Sequence, residues 1–172
     1  MKRMFGPIVV AATVLATGPE LDACGDKSLS AGGIRMQRAA AARYPASVLA
    51  YVPANSRIAT ATRELKLQKW LGVLGHRYRE VASLSELRTS IETGQFNIVV
   101  TDLEQVAELE RSLGQSAARV VLVPVAGRLS KAETRAAHQQ RRFLITERSR
   151  VNEYLNTIHN AVRVGSASSR KA

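Results

Sequence analysis

The feature that most constrains this chain is the run Phe96-Asn-Ile-Val-Val-Thr-Asp-Leu103. Its centre is apolar and β-branched on successive residues, not on alternate ones. That pattern fits a strand buried on both faces, as in the middle of a parallel sheet. Thr93-Gly94 precedes it as a turn signal, and a helical pattern follows from Glu104 to Leu113, closed by Gly114. Asp102 therefore stands at the C-terminal edge of a central strand, the edge at which ligands and reacting groups gather in open α/β sheets.

The same alternation recurs along the chain. Apolar strand patterns cover 47–52, 78–82, 119–125 and 142–146. Helical patterns cover 58–74, with Leu65, Leu67, Trp70, Leu71 and Leu74 as its apolar stripe, and then 84–93, 131–140 and 151–162. Ser83 with Glu86, and Ser130 with Glu133, have the spacing of capping boxes, and Gly94 ends the helix before the central strand. Asp102 is expected to cap the helix that follows it, with Gln105 three residues on. Strands alternating with helices require parallel pairing through right-handed crossovers. The expected fold is a five-stranded parallel doubly wound α/β sheet, flavodoxin-like, of order 2-1-3-4-5, with helices on both faces. The 172 residues are 45% apolar, enough for one such core, and with aromatics at 5% that core must be aliphatic.

The N-terminus carries a different signal. Met1-Lys-Arg-Met is basic, Phe5 to Ala16 is nearly all apolar, and Gly18-Pro19 breaks the run. This is the form of an export signal, and the run is too short to span a bilayer. The alternative is a frayed N-terminal helix. The exit, Leu21-Asp-Ala-Cys24-Gly, resembles the lipobox of bacterial lipoprotein signal peptides at Leu21, Ala23 and Cys24, and departs from it at Asp22. The resemblance implies lipidation of Cys24 and a chain held on a membrane. Cleavage without lipidation and an uncleaved anchor are the other outcomes. The expected organisation is a signal peptide over 1–23, a tether over 24–45 with a helical turn around Met36 to Arg43, a domain over 46–163, and a disordered basic tail over 164–172.

Net charge is +11, and it stays +11 without residues 1–23, which carry Lys2, Arg3, Glu20 and Asp22. Such a balance favours polyanionic partners, yet no run of five like charges occurs and basic clusters lack stacking aromatics. Nucleic acid is therefore not the expected partner. Arg141, Arg142, Arg148 and Arg150 cluster around the fifth strand, as a solvated surface or as a basic docking face. The single cysteine excludes an internal disulfide, and His76, His138 and His159 lack the spacing of a zinc site. Gly32-Gly33 and Gly72–Gly75 do not form a phosphate loop, and no serine sits in a nucleophile elbow.

Residues 46–163 resemble the receiver domain of bacterial response regulators, through Phe96–Leu103 with Asp102 at the phosphoacceptor position and through the closing unit Phe143-Leu-Ile-Thr-Glu and Val151-Asn-Glu-Tyr-Leu. The family's acidic pair after strand one is replaced by Val52-Pro-Ala-Asn55, its Ser or Thr after strand four by Pro124-Val-Ala126, and its Lys by the region of Thr146-Glu147. One carboxylate holds magnesium poorly, and phosphoryl transfer needs the metal and the cations. The resemblance therefore implies a degenerate receiver, with no metal, cofactor, small-molecule substrate or enzymatic activity. The expected function is an exported, lipid-anchored interaction module for a protein partner at the cell envelope. A cytoplasmic receiver-like protein of a phosphorelay and a basic nucleic-acid-associated protein are the alternatives.

Overall fold

The computed structural model describes residues 37–39 and 41–169. Five strands, β1 (Ser47–Tyr51), β2 (Arg77–Val81), β3 (Ile98–Asp102), β4 (Val121–Ala126) and β5 (Ile145–Thr146), form one sheet in the order β2-β1-β3-β4-β5. Every pairing is parallel. The helices are α1 (Arg57–Glu64), α2 (Leu67–Val73), α3 (Leu84–Glu92), α4 (Val106–Leu113), α5 (Lys131–Gln140) and α6 (Val151–Ser169), with short 3-10 turns at Leu103–Gln105 and Gly114–Arg119. This is the expected doubly wound, flavodoxin-like α/β fold.

The central strand organises both layers. All five residues of β3 are buried. Ile98 and Val100 face one core, built with Ile58, Leu67, Leu71, Ile158 and Val162 of α1, α2 and α6. Val99 faces the other, with Leu87, Ile91, Leu109 and Leu113 of α3 and α4. A third, small cluster joins Ala137 of α5 to Ala126 and Leu144 on that second side. The strand period of two thus divides one apolar run between two layers.

Several elements differ from expectation. The helix expected over 58–74 is two helices, broken at Lys66, whose φ of 50° is left-handed. Ile58, Ala61 and Leu65 share one face, but Leu67 follows Leu65 by two, a step that no single helical face accommodates. One left-handed residue rotates the chain so that Leu67, Leu71 and Leu74 face the same core.

β5 is paired at two residues only, Val125↔Ile145 and Ala126↔Thr146. The Ala126 carbonyl accepts from Glu147 N at 2.7 Å, so Ala126 faces β5, and by alternation Pro124 and Leu122 do too. Pro124 has no N–H to give the carbonyl of Phe143. The ladder stops there, and Arg142–Leu144 leaves the sheet, contrary to the strand expected over 142–146.

Both ends of the domain reach further than expected. Residues 37–39 and 41–43 are helical and lie on the α2 and α6 layer. Ala41 and Ala46 belong to its core. Gln37 donates to Asn156 at 3.3 Å, and Arg38 Nε donates to the Val73 carbonyl at 3.0 Å. The part of the expected tether from residue 37 onward is thus docked on the domain. At the other end α6 runs to Ser169, where a disordered tail was expected from 164. No proline interrupts this stretch, and Gly165 lies so close to Val121 that a β-carbon there would sit 3.0 Å from its methyl group. The helix therefore has a surface to continue along.

Candidate functional site

The C-terminal edge of the sheet holds a polar cluster around Asp102, which is 6% exposed. Asp102 makes no side-chain bond to the turn that follows it. Its carboxylate instead reaches the start of α1. Ser56 Oγ donates to Oδ2 at 2.8 Å, Arg57 N donates to Oδ2 at 3.2 Å, and Ile58 N donates to Oδ1 at 3.3 Å. Ser56 Oγ also accepts from Ile58 N at 3.2 Å, as the N-cap of α1. The expected cap on the following helix is thus corrected: Asp102 caps a helix that begins 45 residues earlier. The reason is local charge. α1 has no acidic residue in its first turn, so its positive end is met by a carboxylate from across the sheet.

Arg57 closes the cluster from above. Its guanidinium forms a salt bridge with Glu104 at 3.0 Å and occupies the space beside Gly127, where a β-carbon would lie 2.0 Å from Nη1. From the α6 side comes Tyr154, fully buried, with a hydroxyl that has no hydrogen-bond partner among the described residues. Burial, and then the charges of Asp102 and Glu147, raise the Tyr154 phenol above its ordinary range, so it stays protonated.

The positions that resemble a receiver's remaining groups hold other chemistry. The turn after β1 contains Asn55 with φ 68° and no carboxylate. Gly127 follows β4, and Glu147 follows β5 with its N–H bonded to the Ala126 carbonyl. Among the described residues no group of three or more His, Cys, Asp or Glu is placed to hold a metal ion. The donor set about Asp102 is a hydroxyl and two N–H groups directed at the carboxylate, the environment of an anion receptor and not of a cation site.

The four arginines around β5 are not brought together on one face. Arg141 and Arg142 precede β5, at the N-terminal edge of the sheet, while Arg148 and Arg150 follow it, at the opposite edge. Arg141 forms a two-armed salt bridge with Glu110, and the Arg142 guanidinium lies 5.7 Å from the centre of the Phe143 ring. These two rim an open depression of about 340 Å³ with Val121, Leu122 and Gln140, where β5 has left the sheet. A single basic docking face made of all four is therefore corrected to two separate pairs.

Cys24 and the signal-like segment lie outside the described residues. No helix among the described residues is long and apolar enough to cross a membrane. Ser56 is the site residue that sequence reasoning missed. A serine two residues before Ile58, at the start of an apolar periodic stretch, was the available signal. No family model, curated protein or solved structure matches the chain.

Proposed function

We propose that the chain is an exported, lipid-anchored and non-enzymatic pseudo-receiver, acting as a protein-interaction module at the cell envelope. One observation carries the reading: both oxygens of Asp102 already accept hydrogen bonds from Ser56 and the first backbone N–H groups of α1. A phosphoacceptor carboxylate must be free to attack and must have a metal and cations to neutralise the transferred group. Here the same oxygens hold a helix end in place. The exported, anchored part of the reading is supported by the basic start, the apolar run and Leu21-Asp-Ala-Cys24.

Incubation of the purified protein with acetyl phosphate and magnesium is expected to leave the intact mass unchanged. A stable adduct mapped to Asp102 would overturn the pseudo-receiver reading and restore a phosphorelay role. The anchor is tested separately. Wild type is expected to incorporate labelled palmitate and fractionate with membranes, whereas Cys24→Ser is expected to do neither.

A further inference from the structure

The two helical layers differ in charge, one strongly basic and the other close to neutral. On the layer of residues 37–39 and 41–43, α1, α2 and α6, the exposed cations are Arg38, Arg43, Arg63, Lys66, Lys69 and Arg163, against the carboxylates Glu64 and Glu153. No ion pair among the described residues holds any of the six. Arg57, also of α1, is turned away to Glu104. On the other layer, α3, α4 and the turn after α4 carry Glu86, Glu92, Glu108 and Glu110 against Arg88, Arg111 and Arg119, and α5 is close to balance with Glu133, Lys131 and Arg135. A basic protein with evenly scattered charge does not divide this way.

We propose that the α1, α2 and α6 layer, with residues 37–39 and 41–43, docks on the anionic headgroup surface of the membrane that holds the anchor. The inference rests on the anchored reading above and says which face meets the bilayer. Two observations choose this occupant. The first is charge complementarity, since each Lys or Arg close to an anionic bilayer strengthens association about five-fold. The second is where the chain enters the domain. Twelve residues separate Cys24 from Gln37, a reach of at most about 47 Å. They join the domain on this layer, where Gln37 bonds Asn156 and Arg38 bonds the end of α2. A short tether rooted on the basic face holds that face toward the bilayer and raises its local concentration there.

Lysine labelling reads the orientation directly, because Lys66 and Lys69 lie on the basic layer and Lys131 lies on the other. The full-length protein, purified from membranes, is reconstituted on vesicles of phosphatidylcholine alone or with phosphatidylglycerol, and acetylated briefly. Lys66 and Lys69 are expected to label at least five-fold more slowly on the anionic vesicles, with Lys131 unchanged, and the protection is expected to fall in high salt. Equal labelling on both vesicles, with wild type still floating with neutral vesicles and Cys24→Ser not, would overturn the docking and leave the anchor standing. Cys24→Ser floating like wild type would instead remove the anchor on which the inference rests. Protection of the same two lysines by a DNA duplex without vesicles would assign the face to nucleic acid and overturn the inference.

Discussion

β3 and β5 begin as similar stretches of apolar sequence and end as very different strands. β3 is buried along its whole length and paired on both sides, to β1 and β4. β5 keeps two paired residues and lets Arg142–Leu144 drift away from the sheet. Their own compositions do not separate them. The neighbour does: Val100 and Asp102 face strands able to complete the ladder, whereas Phe143 faces Pro124, which has no hydrogen to give. A strand's extent is a property of the pair, and the same holds for the carboxylate at the end of β3, whose role is set by the helix start that follows the neighbouring strand β1.

The contrast can be broken first in the core. Ile98→Ala is expected to destabilise the domain by about 4 kcal/mol, as a fully buried side chain facing α1, α2 and α6, whereas Phe143→Ala is expected to cost about 2 kcal/mol, because that ring is only partly buried. Urea unfolding of both variants checks the ranking, and equal losses would show that β5 contributes as much core as β3. Next comes Asp102→Ala, which leaves the Ser56 hydroxyl and Arg57 N without their acceptor and Ile58 N with Ser56 Oγ alone. A loss of about 3 kcal/mol is expected, with Asp102→Asn losing less because one acceptor oxygen remains. Hydrogen exchange should place the damage at the start of α1 and not at Leu103–Gln105. Faster exchange confined to the latter would return the cap to the helix after β3.

A smaller effect concerns the docked N-terminal segment. His76 Nδ1 accepts from Ala46 N at 2.9 Å, and Tyr44 meets the His159 ring edge-on at 6.3 Å. Burial first, then His159, lowers the pKa of His76; burial first, then Arg163, lowers that of His159. Arg38 and Arg43 on the segment, and Lys69 on α2, add further positive charge on this layer. The folded form binds these protons less readily than the unfolded form. The stabilisation is thus complete above the ordinary histidine value of about 6.5 and is lost as pH falls below it toward the lowered folded values. Limited proteolysis at 37–46 is expected to speed up between pH 7.5 and pH 5, and His76→Gln, which keeps an acceptor, is expected to flatten that dependence. The smallest expected change is from Pro124→Ala. It returns a donor opposite Phe143, so amide protection should spread along 143–145 while global stability moves by less than about 1 kcal/mol.

Much of this fold is legible in the sequence, for physical reasons that differ by element. β3 can be read because burial on both faces forces a continuous apolar run, and the helix starts at Ser83 and Ser130 because capping is decided within three residues. Ser130 and Glu133 complete their box, whereas Glu86 turns instead to Arg79 at 2.8 Å. What stays hidden depends on residues distant in the chain. The break at Lys66 serves a core built from three helices. The docking of 37–39 and 41–43 rests on small Ala41 and on polar bonds to Val73 and Asn156, none of which forms an apolar pattern. The partner of Asp102 is invisible to any local window, since Ser56 is 46 residues away.

That separation has a consequence for assembly. α1 has eight residues and no acidic group of its own in the first turn, and a helix so short is not stable alone in water. Its missing negative charge arrives only when β3 has paired with β1 and carried Asp102 to the turn after β1. α1 is therefore expected to form late, conditional on the sheet, with φ-values at Ser56 and Ile58 below those at Val99. The carboxylate at the end of the central strand would then act as a checkpoint in folding, joining the first helix only once the centre of the sheet exists.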